Sequence, residues 1–291
     1  MATRAQWVSA ARPRTLPAAV APVLAGTGAA AALDGVRPGL AVLALVVSLA
    51  LQVGVNYAND YSDGIRGTDD HRVGPFRLTG SGAAAPAAVK RAAFACFGLA
   101  AVAGLALVGW SGHWWLLGVG ALAILAAWYY TGGSHPYGYA GLGEVFVFVF
   151  FGLVAVLGTT YTQAGRLSAA AVAAAIGVGA LTCAILVANN LRDIPTDEVA
   201  GKHTLAVRLG DRATRGLYLA LLAAPFVAAA ALAARRPWPL LALLALPLAL
   251  APVQAIRSGA TGLKLLPVLR DTGRLELVYA ALLAVGLSLT G

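Results

Sequence analysis

Nine apolar runs follow one another along this chain, at about 15–34, 38–58, 92–110, 113–131, 143–162, 168–188, 215–234, 237–256 and 275–290. A helix needs roughly 20 apolar residues to cross a bilayer, and most of these runs approach or reach that length. In lipid every backbone N–H and C=O must be bonded within the structure, which leaves helices and closed barrels. A barrel strand alternates polar and apolar residues over about ten positions, and no such segment occurs here. The chain therefore reads as an all-α membrane protein with nine transmembrane helices, a single integral-membrane domain over residues 1–291. Composition agrees: 11% of residues are charged and 59% are hydrophobic, too few charges to cover a soluble surface. Arg4, Arg12 and Arg14 precede the first run and imitate a signal peptide, but the run is long and eight more follow, so it reads as the first helix. Cys96 and Cys183 lie in separate apolar runs without metal-ligand spacing and read as packing residues.

The basic residues orient this bundle. The net charge is +9. Of 21 Lys and Arg, 17 fall before the first run or in the connections after the second, sixth and eighth. Only Arg37, Arg166, Arg235 and Arg236 fall on the other side. Positive residues stay inside, which predicts a multi-pass protein of the cytoplasmic membrane, its N-terminus and long polar connections facing the cytoplasm. The lipid bilayer accounts for the basic excess, and no nucleic-acid partner is needed.

Function concentrates in polar segments held by a rigid scaffold. Two such segments look alike and emerge on the same side: NYANDYSDGIRGTDD, beginning at Asn56, and NNLRDIPTDEVAGKHT, beginning at Asn189. Asn56 and Asp60 are four apart, as are Asn59 and Asp63, Asn189 and Asp193, and Asp193 and Asp197. Residues so spaced share a helix face. Asp69 and Asp70 follow Gly67, and Pro195 is expected to bend or end the second helix. Clustered carboxylates repel unless a cation lies between them, and hard oxygen ligands suit Mg²⁺, which takes one or two protein carboxylates plus waters and phosphates. The interleaved Arg66, Arg72, Arg77, Arg192, Lys202 and Arg208 are natural phosphate ligands. Acid for a metal beside base for a phosphate points to a site that ionises a diphosphate. The plainer alternative is two solvated loops with salt bridges. Glu144 stands alone at the start of the fifth run, either as a carboxylate favoured by a helix N-terminus or as a group that positions a substrate. Tyr139, with Tyr57, Tyr61 and Tyr137, has a π face that can stabilise a carbocation, although interfacial tyrosines are common in membrane proteins. His71, His113, His135 and His203 are scattered and carry no ligand spacing.

At these residues the sequence resembles the UbiA superfamily of intramembrane aromatic prenyltransferases, and within it the branch acting on 1,4-dihydroxy-2-naphthoate. NDYSDGIRGTD is similar to that branch's first aspartate motif. DHRVGPFRL, YTGGSHPYGYAG, NNLRDIPTDEVAGKHTLAVRLG, LRDTG and the opening WVSAARPRTLPAAVAPVLAGT are similar to it as well. The resemblance implies a nine-helix bundle around a central cavity open to the cytoplasmic side and laterally to lipid. It implies metal ligands at Asn59 and Asp63 with Asp60 and Asp69 beside them, where Asp69 replaces an acid that other branches carry at the position of Gly67. Asp193 and Asp197 complete the second motif, with Asn189 or Asn190 before them. Asp60, Asp63, Asp193 and Asp197 are the expected catalytic carboxylates. Asn56, Asn59, Arg66, Arg77, Asn189, Asn190, Lys202, Tyr139 and Glu144 are the expected substrate-binding set. The reaction implied is Mg²⁺-dependent transfer of a polyprenyl group from polyprenyl diphosphate to 1,4-dihydroxy-2-naphthoate, with loss of CO₂ and diphosphate. Alternatives are another acceptor such as 4-hydroxybenzoate, an ion-coupled transporter, whose carboxylates usually lie near the midplane, or a CDP-alcohol phosphotransferase, whose run of motif residues is missing here.

Overall fold

A computed structural model describes residues 2–68, 76–234 and 236–290. The described chain is helical, without strands. A short helix, α1 (Arg4–Ala10), begins at Thr3, whose hydroxyl accepts from Gln6 N while the Gln6 side chain accepts from Thr3 N. There follow α2 (Pro17–Ala31), α3 (Pro38–Ile65), α4 (Pro86–Ser111), α5 (Leu116–Tyr129), α6 (Gly143–Ala164), α7 (Ala169–Val199) and α8 (Leu205–Ala233). Then come a bent pair, α9 (Trp238–Ala245 and Pro247–Arg257, 45° apart), and α10 (Leu266–Ser288). Proline opens α2, α3, α4 and α10, where its missing N–H costs nothing.

Each of the nine apolar runs coincides with one of these helices. By length and composition α3, α4, α6, α7 and α8 qualify as membrane spans, five in all, or six if the bent α9 pair counts as one. Helices α2 and α5 are apolar but shorter. Helix α10 carries Arg270, Asp271, Arg274 and Glu276 in its first half.

Helix α7 is the axis of the bundle. Of its most apolar stretch 67% is buried, against 22–28% for the other spans. Alanines make this centre possible: Ala171, Ala174, Ala175, Ala180, Ala184 and Ala188 are buried along α7, and small residues let helices approach closely in lipid. One close approach is Gly152 of α6 against Gly179 of α7, where a Cβ added at Gly152 would lie 2.7 Å from the Gly179 Cα. Helix α6 widens into a π-helical stretch over Phe148–Val154 at this crossing. Such widenings recur at functional sites, and Phe150, Phe151 and Val154 of this one line a cavity. The outward faces of α4 and α5 expose Leu99, Val102, Trp110, Leu122 and Leu125, as lipid-facing surfaces do.

The two acidic motifs lie on the helices themselves. Helix α3 continues through Asp63 to Ile65, and α7 passes Pro195 to end at Val199. Pro195 therefore does not end its helix, and a last turn persists in which the Thr196 hydroxyl donates to Asp193 O.

Candidate active site

A cavity of about 590 Å³ is bounded by α2 to α7. A helix turns about 100° per residue, so Ser48, Gln52, Asn56, Asn59 and Asp63 form one stripe along α3. All five line the cavity. Asp60 falls off the edge of that stripe, is not part of the lining, and is 1% exposed. Its two oxygens accept from Leu78 N at 2.7 Å and Thr79 N at 2.8 Å. The structure thus assigns Asp60 a different place from its motif partners: it ties the 76–85 connection to α3. Arg77, one residue before that tie, faces Asp63.

Asp63 sits among cations. Its carboxylate accepts from Arg77 Nη2 at 3.3 Å, Lys202 Nζ at 3.4 Å and the Tyr139 hydroxyl at 2.5 Å. Lys202 Nζ also lies 4.6 Å from the centre of the Tyr139 ring. Burial, and then the Asp63 charge, push the Tyr139 phenol well above its ordinary pKa, so it holds its proton and donates. The second motif faces the same cavity with Asn189, Asn190, Asp193 and Asp197. Arg192 grips Asp193 through Nε and Nη2, both at 2.7 Å, and donates to Asn189 Oδ1 at 2.8 Å. Asn59 Oδ1 accepts from the Thr131 hydroxyl at 2.7 Å. The acidic residues of the lining, Asp63, Asp193 and Asp197, lie near the ends of α3 and α7. Away from them α4 and α5 line the cavity with apolar residues such as Leu105, Val108 and Ile124.

Among the described residues no three His, Cys, Asp or Glu side chains come close enough to share one ion, so there is no all-protein cage. Mg²⁺ does not require one, since it is usually held by one or two carboxylates plus waters and substrate phosphates. Asp63 on one wall and Asp193 and Asp197 on another fit that donor chemistry.

The sequence model of the UbiA prenyltransferase family matches residues 19–264. The chain belongs to this family. It is 59% identical to the 1,4-dihydroxy-2-naphthoate octaprenyltransferase of Mycobacterium tuberculosis, over 99% of this chain and 98% of that protein. To the enzyme of the same name from Escherichia coli it is 37% identical, over 98% and 95%. In fold it is similar to a UbiA homolog from Archaeoglobus fulgidus solved with GPP and Mg²⁺, with a TM-score of 0.68 and 14% identity, covering 96% of this chain and 100% of that one.

The UbiA motif residues separate accordingly. Asn56, Asn59, Asp63, Arg77, Tyr139, Asn189, Asn190, Asp193, Asp197 and Lys202 meet around one cavity. Asp60, Arg66 and Glu144 stand behind it. The Arg66 guanidinium is committed to Thr131 O and Gly133 O. Glu144 is buried and accepts from Asn190 Nδ2 at 2.9 Å, so it orients a cavity residue. Of the other basic residues in the motifs, Arg192 is held by Asp193, and exposed Arg208 donates to His203 O. Asp69, with Asp70, His71 and Arg72, lies outside the described residues. Arg12, Thr15, Gln52 and Thr131 are not among the site residues expected from the sequence, yet all four line the cavity. One signal points to Gln52: it lies four residues before Asn56, on the same helical stripe.

Proposed function

We propose that this chain transfers a polyprenyl group from polyprenyl diphosphate to 1,4-dihydroxy-2-naphthoate, releasing CO₂ and diphosphate and giving demethylmenaquinol for menaquinone biosynthesis. The observation that carries the reading is Asp63 held by Arg77, Lys202 and Tyr139 at the mouth of a largely apolar cavity, with Asp193 and Asp197 on the facing wall. Full-length identity to relatives of that name supports the choice of acceptor. Chain 1–291 acts as one membrane domain. Its nine helices cross the cytoplasmic membrane around the cavity, α2 and α5 included, with the N-terminus and the polar mouth at the cytoplasmic face.

Asn59, Asp63, Asp193 and Asp197 would hold Mg²⁺. When bound it supplies charge to neutralise the diphosphate. Arg77 and Lys202 turn from Asp63 toward the phosphate oxygens and stabilise the charge that grows on the leaving group. The allylic C–O bond breaks and its electron pair leaves with the diphosphate. The Tyr139 ring, already beside the Lys202 ammonium, presents its π face to positive charge at this end of the cavity. Apolar side chains of α4 and α5 keep water from the allylic cation. A ring carbon of the acceptor forms the new C–C bond, and the electrons of the bond to the carboxylate return to the ring as CO₂ departs. The rest of the prenyl chain leaves through the groove between α5 and α6, about 570 Å³, which shares Tyr137, Phe146 and Phe150 with the cavity.

Competition between acceptors tests the choice. Purified protein given a polyprenyl diphosphate, Mg²⁺ and equal 1,4-dihydroxy-2-naphthoate and 4-hydroxybenzoate should prenylate the naphthoate almost alone. Preferential prenylation of 4-hydroxybenzoate would keep the chemistry and overturn the acceptor. Ion-coupled uptake into vesicles without any prenyl transfer would overturn both.

A further inference from the structure

The proposed reaction places the diphosphate at the aspartates but leaves the acceptor without partners. A polar corner of the same cavity lies apart from the aspartates. It consists of Arg12, Thr15, Gln52 and Asn56, and it sits deeper: at about 1.5 Å per helical residue, Asn56 is about 10 Å and Gln52 about 16 Å along α3 from Asp63. The Thr15 hydroxyl organises it. It donates to Arg12 O at 2.9 Å and accepts Gln52 Nε2 at 3.0 Å and Asn56 Nδ2 at 3.1 Å. Asn56 Nδ2 also donates to Ala11 O at 2.9 Å. One hydroxyl has one proton and two acceptor lone pairs, so Thr15 is saturated and both amides turn their nitrogens toward it. Their oxygens are left over: neither Gln52 Oε1 nor Asn56 Oδ1 makes a hydrogen bond among the described residues, and neither is sealed from the cavity. Arg12 brings a guanidinium to the same wall. Its backbone is left-handed, φ +54°, a conformation uncommon outside glycine that gathers at ligand-binding sites.

We infer that Arg12, Gln52 and Asn56 form the subsite for the aromatic acceptor, with Thr15 as its positioning residue. This rests on the proposed function. The complementarity is one to one. The acceptor brings one carboxylate and two phenolic O–H donors, and the corner brings one guanidinium and two amide oxygens. The acceptor lies along the polar stripe of α3, and the prenyl chain lies along the apolar lining of α4 and α5. This division brings the ring to the allylic end of the diphosphate without mixing the two substrates' surroundings. Selection follows from it. A site that accepts hydrogen bonds from substrate hydroxyls rejects analogues that lack them, because its own oxygens are then buried without partners.

Steady-state kinetics on full-length protein in nanodiscs, with each substrate varied in turn, test the subsite. Arg12→Gln should raise KM for the naphthoate about tenfold or more, the cost of a lost charged hydrogen bond, and Gln52→Leu about fivefold. KM for the polyprenyl diphosphate and the Mg²⁺ concentration for half activity should move less than about twofold in either variant, which also shows that the variants fold. A rise confined to the diphosphate KM, or no change in either variant, overturns the subsite. A second measurement needs no variant: reduced 1,4-dihydroxynaphthalene, which lacks the carboxylate, should inhibit wild-type protein about tenfold more weakly than the naphthoate binds. Equal binding overturns the role of Arg12. Wild-type protein that does not prenylate the naphthoate at all would instead refute the function on which the subsite rests, so the two failures are distinguishable.

Discussion

Asp60 and Asp63 stand three residues apart in one motif, and the structure predicts opposite consequences for their loss. In Asp60→Asn a carboxylate that takes two backbone N–H groups, at 2.7 and 2.8 Å, becomes an amide with a single oxygen. One buried N–H then faces an NH₂ group. A hydrogen bond to a charged group is worth about 1.5–3 kcal/mol, so unfolding should become easier by about that amount. Leu78 and Thr79 follow Arg77, so activity should also fall through misplacement of Arg77, by about tenfold. Asp63→Asn instead removes a charge that faces Arg77 and Lys202 at 3.3 and 3.4 Å and that would hold the metal. Turnover per folded molecule should fall by about 10³ or more, comparable to or beyond the loss of one oxyanion donor. The Mg²⁺ requirement should rise sharply in Asp63→Asn and stay unchanged in Asp60→Asn. The assay pairs denaturant unfolding in detergent with Mg²⁺ titrations of prenyl transfer. If Asp60→Asn shifted the Mg²⁺ requirement as far as Asp63→Asn, with stability intact, the division of roles drawn here would be refuted.

Lys202→Met should raise KM for the polyprenyl diphosphate by about tenfold while leaving KM for the acceptor alone, since it removes one charged contact to phosphate; equal effects on both substrates would contradict this. Gly179→Leu should destabilise the protein by about 1–3 kcal/mol or prevent its insertion, because the helices meet at van der Waals contact there; a thermal melt matching wild type would count against that crossing. The Tyr139 phenol is raised by burial and by Asp63, so its bond to Asp63 is fully present below the ordinary phenol value of about 10 and is lost only as pH rises through the higher folded value. Activity should therefore show no descending limb from this group between pH 7 and 9, and Tyr139→Phe should leave the profile shape unchanged in that window; a limb that vanished in Tyr139→Phe would show the sign to be wrong.

Much of this architecture is legible in the amino-acid sequence. The apolar runs predict helices because lipid leaves the backbone few other choices. The three- and four-residue spacing of Asn56, Asn59 and Asp63 against the four-residue spacing of Asn189, Asp193 and Asp197 predicts two polar faces that meet. What spacing cannot rank is position within a face. Asp60 is four residues from Asn56, yet its extra turn about the axis aims it at the 76–85 connection, and only tertiary packing reveals that two backbone N–H groups wait there. Arg66 carries the charge expected of a phosphate ligand, but carbonyls of the turn after α5 claim it. Arg12 and Thr15 precede the first apolar run or stand at its edge and belong to neither acidic motif. They reach the cavity only because the turn between α1 and α2 folds onto Asn56. Pro195 looks like a helix end, but the helix passes it and places Asp197 one turn beyond Asp193 on the same cavity.

The most direct test of the central claim is stoichiometry. Purified protein would be given a polyprenyl diphosphate, Mg²⁺ and 1,4-dihydroxy-2-naphthoate labelled in its carboxyl carbon, and CO₂, diphosphate and prenylated product would be counted together. The account predicts one CO₂ and one diphosphate for each prenylated ring, and none of the three after EDTA. Diphosphate released without CO₂, or a product that keeps its labelled carboxylate, would contradict it.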